Sequence, residues 1–194
     1  DFLRTGLTAI IGMGCSPGVT NVMARYLSDR FQSIQSIRIR IGSRDFNATA
    51  NEFCFPYSAQ TVVEELSLRP WVFKNGKFIQ TAARTGWEEI DFKKPLGKLW
   101  LIRTRHSEVA TLPLSFREKG VRNCDFKVSF NRQFVREVMK RLRNGWTVKR
   151  LSELQAERTH PDDFEVARVV ITGREYSART RTSMTMDCDA RARP

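Results

Sequence analysis

An imidazole, a hydroxyl and a carboxylate follow one another at His106, Ser107 and Glu108. Histidine titrates near neutral pH, so an imidazole at the end of a strand suits general acid or base chemistry. Neighbouring residues on a strand point to opposite faces, and these three therefore do not form a catalytic triad by themselves. The alternative is a polar turn between a strand and a helix, with Ser107 or Thr104 as the helix cap. We take His106 as the candidate catalytic residue.

A glycine-rich turn near the beginning of the chain is a second candidate site. The apolar run at residues 7–11 predicts a strand, and Gly12, Gly14 and Gly18 follow before a helical pattern. A strand that leads through such a turn into a helix is how α/β proteins build an anion or cofactor site. The spacing is one residue longer than the dinucleotide fingerprint. A cofactor site, an anion site for a substrate and a tight structural turn are all compatible with these residues.

The helix after this turn is predicted to have Ser16 as its N-cap and Pro17 at its first position, and to run to about residue 31. Proline is tolerated there because the N–H that it lacks has no partner inside the helix. The same missing N–H removes one donor from a possible diphosphate cradle, which weakens the cofactor interpretation.

Tyrosine and arginine side chains are further candidates for substrate contacts. Tyr57 precedes a helix start at Ser58, where its hydroxyl either faces a ligand or packs against the protein. Guanidinium groups bind carboxylates in a bidentate way. The arginines that alternate on predicted strands are Arg38, Arg40, Arg103 and Arg105. His160 is predicted to be a loop residue.

The elements that would position these residues do not alternate regularly between strand and helix. An Asn-Gly pair at residues 75–76 predicts a hairpin, and Asn131 and Gly145 bound an amphipathic helix. Other predicted elements are a helix at 59–66 and strands at 37–41, 98–103, 121–130, 165–172 and 176–186, the last two joined at Gly173 and Arg174. Hairpin connections of this kind predict an α+β domain with a mixed, largely antiparallel sheet and its helices packed on one face.

Composition narrows the class of protein. A chain of 194 residues suffices for one domain or slightly more. We expect no targeting segment, and the sequence has no apolar run near the ~18 residues that span a bilayer. The cysteines are too far apart to form a metal site, and we expect reduced thiols in a cytoplasmic protein. They are Cys15, Cys54, Cys124 and Cys188.

The net charge is +12, and residues 131–150 contain seven basic side chains against the single acid Glu137. This segment is either a solvated helix face or a surface for an anionic partner such as nucleic acid or a phosphate-bearing cofactor. The helix lacks exposed aromatic side chains on which bases could stack. We therefore do not expect a nucleic-acid partner.

Several segments, in this order, resemble the saccharopine dehydrogenase-type oxidoreductases of bacteria. The segments are residues 14–21 (Gly-Cys-Ser-Pro-Gly-Val-Thr-Asn), Tyr57-Ser58, Asn75-Gly76, Gly97, and residues 106–113 (His-Ser-Glu-Val-Ala-Thr-Leu-Pro). The resemblance covers about residues 7–185. The first and last of these segments are its most specific parts.

The resemblance implies a first, Rossmann domain that binds NAD or NADP and a second α+β domain that covers the active-site cleft and usually forms the dimer. Residues 1–18 would then be the last Rossmann-type strand and turn, and residues 19–194 the second domain of a longer chain. The implied chemistry is hydride transfer at a C–N bond between an amine or amino acid and an oxo-acid. His106 would be the catalytic residue. The implied substrate contacts are Ser16, Pro17, Gly18, Asn21, Tyr57, Arg105 and Glu108, and the implied cofactor contacts are Gly14 and Cys15.

These implications give a set of expectations about partners. We expect a small amino-acid or amine substrate, a homodimer, no membrane span, and no bound cofactor or activity for this chain alone. The alternative function is a non-catalytic homodimeric interaction module whose basic helix at residues 131–144 meets an acidic partner. Nucleic-acid binding through the same helix is a third, weaker interpretation.

Overall fold

Eight strands form a single sheet in the computed structural model, which describes residues 2–47, 55–156, 162–176 and 181–191. The strands are β1 Phe31–Asp45, β2 Trp71–Lys74, β3 Lys77–Gln80, β4 Glu88–Asp91, β5 Lys98–Arg103, β6 Asn123–Ser129, β7 Asp163–Glu175 and β8 Arg181–Arg191. Their order is β3-β2-β6-β1-β7-β8, with β5 on β6 and β4 on β5. β1 and β6 pair in parallel, and the other pairings of the described strands are antiparallel. The predicted mixed, largely antiparallel sheet is confirmed.

Five of the six α-helices in the described residues bury their apolar faces in one core against this sheet. The helices are α1 Phe2–Thr5, none of whose described side chains belongs to that core, α2 Val19–Ser28, α3 Ala59–Ser67, α4 Ser107–Ser115, α5 Arg132–Arg143 and α6 Val148–Ala156. Side chains from α2 to α6 share a cluster with Ile37 of β1, Phe126 of β6 and Val169 of β7. Successive side chains of a strand point to opposite faces, so Ile37, Ile39 and Ile41 all reach this core. The α+β class with helices on one face is confirmed.

The opposite face of the sheet carries charged side chains. Arg40 alternates with the core isoleucines, and its guanidinium lies 3.0 Å from Asp125 Oδ1 and 3.1 Å from Glu88 Oε2. Lys127 also donates to Glu88. Arg38 shares this face with Arg40 by the same alternation. Both arginines therefore lie on the side of the sheet away from the helices.

Local sequence signals explain several element boundaries. Asn75 and Gly76 join β2 to β3 with φ values of 52° and 80°, as a type I′ turn requires. Ser58 is the N-cap of α3, and Asn131 is the N-cap of α5, where its side chain accepts a hydrogen bond of 2.7 Å from the Gln133 N–H. The predicted hairpin and both predicted helix starts are confirmed.

The beginning of the chain differs from the prediction. Residues 2–5 form α1, and residues 7–13 pair with no strand of the described chain. Their apolar side chains are exposed, to 76% for Ile10 and 90% for Ile11. The strand predicted at residues 7–11 is therefore not formed here, because the described sheet offers it no partner.

Two glycines explain the other boundary errors. α2 begins at Val19 with Gly18 as its N-cap, so the predicted start with Ser16 as cap and Pro17 in the first turn is wrong. Gly18 has a φ of 136°, which a side chain rarely adopts, and it closes the turn before the helix. Gly173 lies inside β7 instead of in a connection, because its backbone passes close to Ser33 beside an irregularity of β1.

Three further points of the sequence analysis concern membrane spans, the cysteines and the second histidine. Within the described ranges, no helix is both long and apolar enough to cross a membrane. Cys15, Cys124 and Cys188 are free cysteines. Cys54 and His160 lie outside the described residues.

Candidate active site

A cleft of about 990 Å³ lies on the helical side of the sheet, between α3, α4 and the β2–β3 hairpin. It has the size of a site for a small molecule. Its lining residues are Ser16 and Pro17 from the glycine turn, Thr61, Glu64, Glu65 and Leu68 from α3 and its end, Trp71 and Phe78 from the hairpin, and Arg105, His106, Ser107, Ala110 and Leu114 from the start and face of α4.

His106 is held between two carboxylates in the wall of this cleft. Its Nε2 lies 2.8 Å from Glu65 Oε1, and its Nδ1 lies 3.5 Å from Glu108 Oε2. Its ring stacks on Phe126 with centroids 3.8 Å apart and planes inclined by 13°. Contacts on both edges and on one face therefore fix the orientation of the imidazole.

Glu108 is completely buried behind the cleft. The hydroxyls of Ser16 and Thr20 donate to its Oε1 at 2.7 Å and 2.8 Å. Ser16 Oγ also lies 3.4 Å from His106 Nδ1. The Ser107 hydroxyl donates to Oε2 at 3.4 Å. A buried carboxylate is tolerated only when such donors replace its water, and here three hydroxyls and an imidazole do so.

Glu65 extends this network to a tyrosine. It is 5% exposed, and the hydroxyl of Tyr57 donates to its second carboxylate oxygen. The hydrogen bonds therefore connect Tyr57, Glu65, His106, Glu108 and Ser16 across the back of the cleft.

These contacts determine the charge of the site. Burial by itself lowers the pKa of His106, but the hydrogen bonds with Glu108 and Glu65 outweigh it and raise that pKa to about 9. Burial raises the pKa of Glu108, and the hydrogen bonds from His106, Ser16 and Thr20 reverse this and bring it below its usual value. At neutral pH the site therefore contains an imidazolium beside an ionised Glu108.

The point where α4 begins brings His106 and Glu108 together. Strand β5 ends at Arg103, His106 is the extended N-cap, and the helix begins at Ser107. The alternation that separates neighbours on a strand does not apply beyond Arg103. The site therefore forms at a junction between a strand and a helix. The helix cap is His106, whereas the sequence analysis offered Ser107 or Thr104 as the cap.

The glycine turn supports Ser16 through hydrogen bonds inside the turn. The Gly14 N–H donates to Pro17 O at 2.9 Å, and the Val19 N–H donates to Gly14 O at 2.9 Å. The Gly18 N–H donates to Asn21 Oδ1 at 3.1 Å. These donors are used within the protein, so the turn does not present them to a diphosphate.

Comparison with known proteins identifies the fold. No family model matches the chain, and no curated protein matches it in sequence. Among solved structures, it is similar to apo histidine-tagged saccharopine dehydrogenase (L-Glu forming) from Saccharomyces cerevisiae, with a TM-score of 0.67 and 10% sequence identity. The fold matches a saccharopine dehydrogenase-like domain. The match covers 98% of this chain and 61% of the yeast chain, so this chain spans less than two thirds of that dehydrogenase.

Only some of the candidate site residues from the sequence analysis line the cleft. Those that line it are Ser16, Pro17, Arg105 and His106. Tyr57 and Glu108 reach it through hydrogen bonds to lining residues. The others belong to the glycine turn and the start of α2 and are absent from the lining: Gly14, Cys15, Gly18 and Asn21.

Two other kinds of site were considered, a reactive cysteine at Cys15 and a metal site at Glu65 and Glu108. Burial, followed by a hydrogen bond with Glu165, raises the pKa of Cys15 to about 12, so this thiol is not a reactive thiolate at neutral pH. Glu65 and Glu108 bind opposite edges of His106 and do not converge on one point. Within the described ranges no group of His, Cys, Asp or Glu side chains is arranged to hold a metal.

Sequence reasoning missed Glu65 and Thr20. Glu65 lies on the apolar stripe of α3 with Val62 and Leu66, and all three are buried. An acidic residue on the apolar stripe of a helix indicates a buried partner, and this signal was present in the sequence. Thr20 gives a weaker signal, because threonine is common on the buried side of a helix.

Proposed function

We propose that this chain is the substrate-binding and dimerisation domain of an NAD(P)-dependent oxidoreductase that acts on a C–N bond between an amine or amino acid and an oxo-acid. The observation that carries the proposal is the charged imidazole of His106, held between two buried carboxylates in the wall of a small-molecule cleft. The fold likeness to a protein titled saccharopine dehydrogenase supports it. We place this function in the cytoplasm, where cysteine thiols stay reduced.

The residues of the cleft suit the proton transfers of such a reaction. When an amine adds to the carbonyl carbon of an oxo-acid, the resulting hydroxyl must take a proton before it leaves as water. His106 carries a proton at neutral pH because its pKa is about 9. In the reverse direction the neutral imidazole accepts that proton, and Glu65 and Glu108 stabilise the imidazolium that forms. Arg105 is available to hold a carboxylate of the substrate.

The hydride chemistry belongs to the nicotinamide cofactor. The N–H groups of Gly14, Gly18 and Val19 already bond to acceptors of the protein and are not available to a diphosphate. We therefore propose a nucleotide-binding domain that lies mainly outside the described residues. Residues 1–18 would belong to it and would gain the strand at residues 7–11 only when that domain is present, with Gly14 and Cys15 near the nicotinamide. The exposed apolar side chains of Ile10 and Ile11 support a covering neighbour for this segment.

The test is an assay of the full-length product of the gene that encodes this chain. NADH and NADPH oxidation are followed with pairs of amines and oxo-acids, and reduction of NAD⁺ and NADP⁺ with the secondary amines. We expect turnover with one nucleotide. We also expect a loss of about 100-fold or more in kcat for His106→Gln without loss of the fold. Glu118→Gln, at a carboxylate that is 86% exposed, is the control and is expected to leave kcat unchanged.

Two outcomes would contradict this proposal. Absence of oxidation or reduction with every pair would remove the oxidoreductase function. Unchanged kinetics in His106→Gln would remove His106 from the site.

The alternative function, a non-catalytic interaction module, has one observation in its favour. Arg132, Arg136 and Lys140 are exposed at intervals of four residues along α5, which gives a basic stripe for an acidic partner. Both functions include a homodimer, which light scattering can measure. The assay above, and not the oligomeric state, distinguishes them.

A further inference from the structure

We propose that the cleft selects a substrate with one carboxylate and an apolar end, such as an amino acid or oxo-acid with an aromatic or long aliphatic side chain, and disfavours dicarboxylates. This inference rests on the proposed function for the reaction. The binding that it describes can be measured without turnover.

The cationic side chains that line the cleft can bind one carboxylate of a substrate. Arg105 is exposed in the cleft, and in the described part of the chain its side chain pairs with no carboxylate. The charge of His106 is already matched, since Glu65 and Glu108 lie at both edges of its ring. A first substrate carboxylate can therefore bind Arg105 in a bidentate way.

A second carboxylate on the substrate meets an unfavourable field. Glu64 and Glu65 both line the cleft, and Glu64 is exposed to it. Among the lining residues, Arg105 is the cation that is not already held by carboxylates. Like charges at a binding site cost affinity, and a carboxylate that leaves water without a cationic partner costs more.

The rest of the wall is apolar and uncovered. Trp71, Phe78 and Leu114 are 38%, 40% and 59% exposed, and all line the same cleft. Leu68 at the end of α3 adds to this wall and is 40% exposed. Large apolar side chains gathered in a concave site gain free energy when a ligand removes them from water.

The face of α4 that lines the cleft is polar at its first residue, Ser107, and apolar at Leu114. Ser107, Ala110 and Leu114 face the cleft from α4 at intervals of three and four residues. At 1.5 Å per residue, the distance from Ser107 to Leu114 along the helix is about 10 Å. Arg105 and His106 precede Ser107. A ligand whose carboxylate binds Arg105 and whose chain follows α4 therefore brings its far end, about 10 Å away, to Leu114.

The test is a calorimetric titration of the 194-residue chain with two probes, 4-phenylbutyrate and glutarate. We expect 4-phenylbutyrate to bind at least tenfold more tightly than glutarate. Arg105→Gln is expected to weaken 4-phenylbutyrate binding at least tenfold, and Phe78→Ser about fivefold or more, because a buried aromatic contact is lost. All these side chains are exposed, so their replacement leaves folding intact, as thermal melts will show.

The chain offers a matched control for each variant. Ile79 follows Phe78 on β3, is exposed to a similar extent at 43%, and points to the opposite face of the hairpin. Ile79→Ser is therefore expected to leave binding unchanged. Arg117→Gln, at a guanidinium that is 79% exposed, is the charge control.

The inference is overturned if glutarate binds as tightly as 4-phenylbutyrate, if neither probe binds, or if Ile79→Ser weakens binding as much as Phe78→Ser. Its failure is distinguishable from failure of the proposed function. Selective 4-phenylbutyrate binding without any nucleotide turnover would contradict the reaction and leave the specificity of the cleft intact. Turnover with dicarboxylic substrates alone would support the reaction and overturn the specificity.

Discussion

At the scale of single residues, the two carboxylates beside His106 decide the properties of the site. Burial of an imidazolium is unfavourable, and Glu65 and Glu108 offset that cost only because each lies at a different ring nitrogen. The same contacts make the proton of His106 difficult to lose. The protonation state of this residue therefore links the stability of the fold to the chemistry of the cleft.

Stability should depend on pH through His106. Its pKa is raised from 6.5 to about 9 in the folded protein, so the folded state binds the proton more tightly than the unfolded chain. This contribution to the free energy of unfolding is fully present below pH 6.5 and is lost as the pH rises through about 9. Urea unfolding between these pH values measures the loss.

His106→Gln is the comparison for this measurement, because glutamine does not titrate. We expect its free energy of unfolding to fall less with pH over the same range, and to be lower than that of the wild type by about 3 kcal/mol at neutral pH, since buried carboxylates lose their charged partner. Parallel pH dependences in the two proteins would show that His106 does not titrate as the contacts require.

At the scale of elements, the sequence is informative wherever a local pattern determines the structure. The alternation in residues 37–41 locates β1, and Asn75 and Gly76 locate the hairpin. Long-range contacts explain the misses. Gly173 lies within β7 because of how β7 passes β1, and the hydrogen bond between Glu65 and His106 joins residues 41 positions apart. No local pattern contains the position of such a partner.

The site was predictable in the same measure. The segment at 106–108 and the turn at Ser16 can be recognised from residue types, and the structure brings Ser16, His106 and Glu108 together. The relative orientation of the His106 and Glu108 side chains depends on where α4 begins. Alternation along a strand does not predict this orientation, because β5 ends at Arg103. Glu65 is contributed by a separate helix, so only its unusual place on an apolar stripe signals it.

In the glycine turn, a side chain should destabilise the protein at position 18 and be tolerated at position 14. A Cβ at Gly18 would lie 2.1 Å from Gly14 O, and its φ of 136° is strained for any other residue. Gly18→Ala is therefore expected to lower the free energy of unfolding by about 3 kcal/mol or more. Thermal or urea unfolding provides the measurement.

Gly14→Ala is the matched control within the same turn. A Cβ there meets Pro17 O at 3.4 Å, an ordinary contact distance. We expect a change within about 1 kcal/mol. Equal losses in the two variants would mean that the closed turn is not what holds Ser16 against Glu108.

At the scale of the whole molecule, the chain combines a cleft of small-molecule size with an exposed apolar segment. It spans 61% of the yeast dehydrogenase that it resembles in fold. The Gly14, Gly18 and Val19 N–H groups at the glycine turn bond within the protein, while Ile10 and Ile11 expose apolar side chains before the turn. These features agree with the proposed substrate-binding domain, which would lie beside a separate nucleotide-binding domain.

This arrangement predicts that the 194-residue chain by itself does not bind NADH or NADPH at micromolar concentrations. Fluorescence titration of each dinucleotide with the purified chain measures this. The full-length gene product, titrated in parallel, is the positive control and is expected to bind one of them. Micromolar binding by the chain alone would contradict the proposed division between the two domains.

The most direct test of the whole account is an NMR titration of the His106 ring. The chain contains two histidines, so His160→Gln leaves the resonances of His106 assigned without ambiguity. The account predicts a pKa of about 9, and a shift of the ring resonances when 4-phenylbutyrate enters the cleft. A ring that titrates near 6.5 and does not respond to this ligand would contradict it.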